Sequence, residues 1–338
     1  MESLRRELEK QEHLHLDPRA AFSDETRGRL REMEERPGDV RTCYQRDTDR
    51  IVHCKAFRRL MHKTQVFLRP EGDHYRTRMT HTLEVARIAR TICRALGLNE
   101  DLAEAAAMGH DLGHTPFGHA GEKALSEVMG IPFRHNEQSL RVVDILENDG
   151  EGLNLTYEVR MAILGHTGDR IPETLEGQVV RLADRIAYVN HDVDDAIRAG
   201  ILAETDIPKS VSKVLGANYR QRINTLVCDM VEASRQASVI RLSPLVEEGL
   251  LDLRSFLFER VYRNPVAKGE ESKAEDMLQK LYLYYIERPE ALPETFQPQL
   301  SLEGMPRTVC DYIAGMTDNY AVDKYTELYI PMGWRVRD

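Results

Sequence analysis

Cysteine is scarce and scattered. The five thiols, Cys43, Cys54, Cys93, Cys228 and Cys310, form no CxxC pair, which excludes a zinc knuckle or a disulfide-stapled frame and fits reduced thiols in a cytosol. Long apolar runs are missing: no window approaches the roughly 20 residues that cross a bilayer. The opening stretch MESLRRELEKQEHLHL is charged from its second residue and has no apolar core. The expectation is a cytoplasmic protein with no membrane partner. A basic excess is also absent, since 46 Lys and Arg face 56 Asp and Glu for a net charge of −10. That balance argues against a general nucleic-acid coat, yet leaves room for a small polyanion in a locally basic pocket. Alternating apolar strands are rare, and no Gly/Ser or Pro-rich linker, internal repeat or low-complexity tract divides the 338 residues. The pattern predicts one large, mostly α domain with appended segments.

Residues 1–40 read as a charged helix and a loop, and 41–69 carry a basic segment. A helix is predicted from Thr80 as N-cap to Gly97, because Val85, Ile88, Ile92 and Leu96 recur on one face; His81 then sits in its first turn. Asn99 caps the next helix, with Gly113 as its stop just after His110 and Asp111. The stretch 178–199 is apolar on several faces, as in a central buried helix, yet stacks Asp184, Tyr188 and Asp192 at i, i+4 and i+8. Amphipathic helices are expected over 201–287, a Pro-interrupted loop over 288–304 and a last helix over 305–329.

The densest chemistry lies in GHDLGHTPFGHAGE, residues 109–122, with three histidines, two acids and four glycines. Neutral imidazole plus carboxylate suits divalent transition metals, and adjacent His110 and Asp111 at a helix end can turn toward one ion. His81 and Asp184 are the best candidates for the remaining ligands. Taken singly, His81 fits a capping or surface histidine equally well, and Asp184 fits an ion pair with Arg181 or Arg185. His119 and Glu122 lie three apart, so the carboxylate can orient the imidazole and raise its basicity.

The order H…HD…D on three helices resembles the HD-domain metal-dependent phosphohydrolases. The segments RDTDRIVHCKAFRRLMHKTQVF, DHYRTRMTHTLEVARIARTI, GHDLGHTPFGHAGE and RLADRIAYVNHDVDDA, together with DYIAGMTDNYAVDKY near the C-terminus, are similar to the bacterial dGTPase-like deoxynucleoside triphosphate triphosphohydrolases. The match is strong over 46–195 and weak over 205–300. The resemblance implies an all-α HD-domain bundle: an N-terminal extension over 1–45, the phosphohydrolase core over 46–200, and C-terminal helices over 201–338 that complete the pocket and oligomer contacts. It implies cleavage of a dNTP to deoxynucleoside and intact triphosphate with a divalent metal, for which manganese, magnesium, iron, nickel and cobalt all qualify. It further implies a homo-oligomer, a hexamer or smaller, with a dNTP activator between subunits.

Carried residue by residue, the resemblance assigns His119 to the α-phosphate and its 5′ oxygen, His114 to phosphate, and His135 to the same pocket. Arg78 and Arg185 match phosphate contacts, a task that suits the planar two-pronged guanidinium. Gln65, Tyr188 and Asp192 match positions near the sugar 3′ hydroxyl. Tyr262 is the candidate gate against a 2′ hydroxyl, with Arg254 as a further phosphate contact; an ordinary core tyrosine is the alternative for Tyr262, and a surface histidine for His135. Arg58, Arg59 and Lys63 read as a solvated basic run. Two other readings use the same ligands: another HD nucleotide hydrolase, such as a 5′-nucleotidase or alarmone hydrolase, or a non-catalytic sensor of deoxynucleotides or single-stranded nucleic acid.

Overall fold

In the computed structural model, which describes residues 4–32, 39–65, 76–263 and 265–331 (side chains 265–268 excepted), regular structure is helical. In chain order the helices are α1 (Leu4–His15), α2 (Cys43–His53), α3 (Lys55–Arg59), α4 (Arg78–Leu96), α5 (Glu100–Gly109), α6 (His119–Met129), α7 (His135–Arg141) and α8 (Tyr157–Gly165). They continue as α9 (Leu175–Arg198), α10 (Lys209–Leu215), α11 (Tyr219–Ser234), α12 (Pro244–Leu257), α13 (Pro265–Glu287), α14 (Gln297–Glu303), α15 (Met305–Ala314) and α16 (Asp318–Tyr329). No β-strand occurs among the described residues; isolated bridges join Arg29 to Thr156 and Thr64 to Thr77. Parts of the motifs quoted above, residues 66–75, lie outside the described residues, as do residues 33–38 of the N-terminal loop.

The centre of the molecule is built from α4, α5, α8 and α9, with α2 against α5. Small residues make this close approach possible. Ala103, Ala105, Ala106 and Ala107 of α5 are fully buried, and a Cβ on Gly109 would stand 2.5 Å from Ile163 Cδ1 of α8, so the end of α5 admits only glycine without a shift. Around them Ile51, Leu60, Ile92, Leu102, Ile163 and Ile186 are fully buried, and the same core runs on to Leu226 and Leu253 of α11 and α12. Each such side chain contributes roughly 1.5–3 kcal/mol, which offsets the burial of the polar residues described below.

A second core joins Ala124 and Leu125 of α6 to Leu278 and Leu281 of α13, Val309 and Ile313 of α15 and Ala321 of α16. Helix α6 therefore has two faces: one buries Ala120, Ala124 and Leu125, and the other carries His119 and Glu122.

Several local expectations are corrected. Helix α4 starts three residues early, because Thr77 rather than Thr80 is its N-cap; Thr80 closes a reciprocal capping box with it. Helix α5 ends at Gly109 instead of reaching Gly113. A Cβ on Gly113 would meet Ser139 N at 2.1 Å, so this glycine serves the contact with α7. Residues 288–304 form short helical turns and α14, and the last predicted helix breaks into α15 and α16 around Gly315–Thr317.

Candidate active site

His110 occupies the C-cap of α5, where carbonyl oxygens lack intrahelical partners. Its Nδ1 donates to Ala107 O at 2.6 Å, which leaves Nε2 facing inward, buried and without a hydrogen-bond partner among the described residues. That atom lies 3.4 Å from Asp111 Oδ1 and 3.7 Å from Asp184 Oδ1. His81, in the first turn of α4, places Nε2 3.0 Å from the same Asp184 oxygen. Ligand atoms of His81, His110 and Asp111 all fall within 4.8 Å of one another, and all three residues are buried. Donors about 2.0–2.2 Å from one ion lie roughly 3–3.5 Å apart, so these spacings fit a shared divalent cation. Arg181 turns away from Asp184 to the carbonyls of Gly165, Gly168 and Arg170, which disposes of that ion pair.

The electrostatics agree with a cation site. Burial disfavours a charged His110, yet Asp111 and Asp184 outweigh it and push its pKa up to about 9. Burial would raise both carboxylates, but the histidines facing them hold each well below the usual range. The cluster demands positive charge.

Beside these candidate ligands stand Arg78 and further histidines. Arg78, first residue of α4 and buried, sets Nη1 3.0 Å from Asp111 Oδ2, while its Nε has no partner. His114 Nε2 lies 3.2 Å from Asp111 Oδ1. Burial, with Arg78 and His135 nearby, holds its pKa well below the ordinary value, so the ring is neutral. His135 stacks on it with centroids 3.9 Å apart. Glu122 is a hub: Oε1 accepts from His135 N at 2.9 Å and pairs with His135 Nδ1 at 2.6 Å, and Oε2 faces His119 Nδ1 at 3.3 Å. Unlike its neighbours, the His119 side chain is 87% exposed. Its hydrogen bond with Glu122 raises its pKa.

Further along α9, Asp192 accepts the Tyr262 hydroxyl through Oδ2, while Oδ1 is buried without a partner. Burial raises the Asp192 pKa to about 7. Tyr188 lies between Asp184 and Asp192 on the same helix and senses the charges of Arg254 and Arg185. Arg254 is exposed, and Arg185 makes no ion pair among the described residues. Gln65 has a buried Oε1 without a partner, and its backbone borders Gly118, whose added Cβ would approach Arg78 Nη2 at 2.8 Å. Arg254, which is exposed, and Arg185, which is half-buried, both lie near Tyr188.

His166, His191, Glu84 and Asp318 are not singled out by the sequence analysis. Seven imidazoles run in unbroken ring contact in the order His191, His81, His110, His166, His135, His114, His119. His166 lies in GHTG, an echo of the GHTP at 113–116, and His191 precedes Asp192 on the buried stripe; both signals were legible. Lys63 is buried, not solvated: it donates to His114 O and, at 2.8 Å, to Ala314 O, and burial pulls its pKa down to about 7. Asp318 accepts Phe117 N at 3.0 Å on one oxygen and Thr64 N and Oγ1 at 3.0 and 2.7 Å on the other. It ties the left-handed Phe117–Gly118 turn to the Gln65 segment.

The model of the HD domain matches residues 78–189, which spans all four candidate ligands, and that of the phosphohydrolase-associated domain matches 240–327. Deoxyguanosinetriphosphate triphosphohydrolase-like proteins match along nearly the whole chain. One from Caldanaerobacter subterraneus is 54% identical over 326 residues, 96% of each chain. The chain belongs to this HD-domain family. A member from Clostridium perfringens is 48% identical over 97% of this chain and 98% of its own, and one from Geobacter metallireducens is 40% identical over 95% and 97%. Membership of this family accounts for the all-α fold and makes the protein a hydrolase of the HD-domain class. Among the described residues no helix is long and apolar enough to cross a membrane.

Proposed function

We propose that the protein hydrolyses a deoxynucleoside triphosphate, dGTP or several dNTPs, to the deoxynucleoside and inorganic triphosphate. The observation that carries this reading is the convergence of buried His81, His110 and Asp111 with the half-buried Asp184, beside Glu122 and the exposed His119. His81, His110, Asp111 and Asp184 would hold the divalent ion, and His110 Nε2 is the buried donor that lacks any other partner. When bound, the ion supplies Lewis-acid polarisation of the phosphoryl group and activation of water. Arg78 binds phosphate oxygens with the guanidinium edge that Asp111 leaves free, and Arg185 does so from the α9 side. His114 is neutral and donates or accepts without adding charge.

Water adds to the α-phosphorus and the bond to the 5′ oxygen breaks, so a proton must reach that oxygen. His119 delivers it: its raised pKa favours imidazolium, and Glu122 orients the ring. Gln65, Tyr188 and Asp192 bind the sugar edge. Tyr262, partly buried and hydrogen-bonded to the buried Asp192, would close the space where a 2′ hydroxyl would sit, and Arg254 would meet the phosphate chain from the margin. Residues 46–200 act as the phosphohydrolase core, 1–45 as an N-terminal extension, and 201–338 complete the pocket and the contacts of a cytoplasmic homo-oligomer, with a dNTP activator supporting turnover.

The test is a panel of dNTPs, singly and mixed, against the matching NTPs on metal-loaded protein. Triphosphate from at least one dNTP with the matching NTP spared supports the proposal. Orthophosphate or a nucleoside monophosphate instead would indicate another HD hydrolase, and nucleotide binding without turnover a sensor.

A further inference from the structure

His166 repeats the arrangement that makes His110 a candidate ligand. Each histidine is the C-cap of its helix, His110 of α5 and His166 of α8. Each sets Nδ1 against the carbonyl three residues back, Ala107 O at 2.6 Å and Ile163 O at 2.7 Å. A carbonyl only accepts, so in both rings Nδ1 carries the hydrogen and Nε2 is the end that faces the interior. The two rings touch, with centroids 5.0 Å apart. His135, the first residue of α7, is held in the same manner by a carboxylate, its Nδ1 lying 2.6 Å from Glu122 Oε1. A carbonyl or carboxylate on the far nitrogen is the usual outer support of a metal-bound histidine.

The two supported rings converge. Nε2 of His135 and Nε2 of His166 are 3.1 Å apart, and His166 is buried. With both Nδ1 atoms engaged elsewhere, two facing nitrogens at this distance need either a shared hydrogen or a cation between them. The spacing is that of two donors on one ion, which at about 2.0–2.2 Å from the metal lie roughly 3–3.5 Å apart, and a carboxylate stands alongside. Ligand atoms of Asp111, His114 and His135 all fall within 4.8 Å of one another. Arg78 takes Asp111 Oδ2 at 3.0 Å. The other oxygen, Oδ1, faces His110 Nε2 at 3.4 Å and His114 Nε2 at 3.2 Å, and so looks toward both groups of histidines.

We infer that His135, His166 and Asp111 form a second divalent-cation site, adjacent to the one built on His81, His110 and Asp184 and sharing Asp111 Oδ1 with it. The inference rests on the metal-centre reading above for the shared carboxylate. The imidazole pair selects a transition metal, Co2+, Fe2+, Ni2+ or Zn2+, over Ca2+. Three protein ligands leave coordination positions open to water or phosphate oxygens, and paired ions about 3.5–4 Å apart clamp the oxygens exchanged in a phosphoryl displacement. His114, stacked on His135, remains available to phosphate.

The experiment titrates Co2+ into full-length protein stripped of metal, and reads the ions retained after dialysis by elemental mass spectrometry and their magnetic coupling by EPR. Wild type should retain two Co2+ per chain, and the EPR signal of the first should shrink as the second binds, because ions that share an oxygen couple. His166→Gln and His166→Leu, checked for folding by circular dichroism, should retain one Co2+ with an uncoupled signal. If neither variant folds, the wild-type count and coupling decide. One ion per chain in wild type, kept in His166→Gln and lost in His81→Ala, would overturn the second site and leave the first centre standing; a shared proton would then join His135 to His166. Two uncoupled ions, or two ions kept in both folded His166 variants, would also overturn it. A wild-type protein that retains no Co2+ would overturn both readings.

Discussion

Replacing His119 by alanine removes a side chain that is 87% exposed and makes one side-chain hydrogen bond, to Glu122 at 3.3 Å. Stability should therefore change by no more than about 0.5 kcal/mol, and metal content should be unchanged, since His119 touches none of the proposed ligands. Turnover should fall about 10²- to 10⁴-fold, the usual worth of a positioned acid. Glu122→Gln should give the opposite signature. Its carboxylate serves three contacts, one to His119 and two to His135. A hydrogen bond to a charged group is worth about 1.5–3 kcal/mol against about 0.5–1.5 for a neutral one, so each contact loses about 1 kcal/mol. The two His135 contacts cost about 2 kcal/mol of stability, and the His119 contact costs about fivefold in rate. The pH profile adds a sign. Glu122 raises the His119 pKa, and the acid form is present below that pKa, so activity falls as pH rises through it; in Glu122→Gln this alkaline limb moves to lower pH. Single-turnover rates, melting temperature and metal content on both variants give the answer. A His119→Ala protein that is stable, metal-replete and fully active would refute the assignment.

Arg78→Ala should raise KM for the dNTP more than it weakens Mn2+ binding, since the arginine touches one oxygen of Asp111 and leaves Nε for substrate; equal losses would assign it to the ligand shell. Asp318→Ala removes the acceptor for Phe117 N, Thr64 N and Thr64 Oγ1 and should destabilise by about 3 kcal/mol or more, with turnover falling although α16 bears none of the proposed catalytic groups; denaturant melts and steady-state kinetics check both. Gly113→Ala drives a Cβ to 2.1 Å from Ser139 N and should cost at least about 1–3 kcal/mol, read as a lower melting temperature, and an unchanged melt would show that α7 can retreat.

The candidate ligand cluster was legible because charge in a buried place has few uses. Asp184 on a helix that is apolar on several faces signalled a partner, and the His110–Asp111 pair is the candidate. Helix α4 was legible in its apolar repeat, but its start was not: Thr77 and Thr80 are equally good caps, and only the reciprocal bond between them decides which leads. Lys63 was misread as a solvated cation because a charge run carries no sign of the two distant carbonyls, His114 O and Ala314 O, that it bridges. Asp318 was invisible for the same reason, as it acts across more than two hundred residues of chain. The break at Gly315 between α15 and α16 follows from tertiary packing, since this glycine keeps an ordinary right-handed conformation with no turn-specific angle. Local pattern finds elements and costly buried charge; it does not find what long-range hydrogen bonds attach to them.

In the proposed reaction water attacks the α-phosphorus and the triphosphate leaves whole. Turnover of dGTP, or of whichever dNTP the protein accepts, in H2 18O followed by mass spectrometry of both products tests it most directly. The expected products are inorganic triphosphate carrying one 18O and an unlabelled deoxynucleoside. Labelled orthophosphate, pyrophosphate or deoxynucleoside monophosphate, or a label in the sugar hydroxyl, would contradict it.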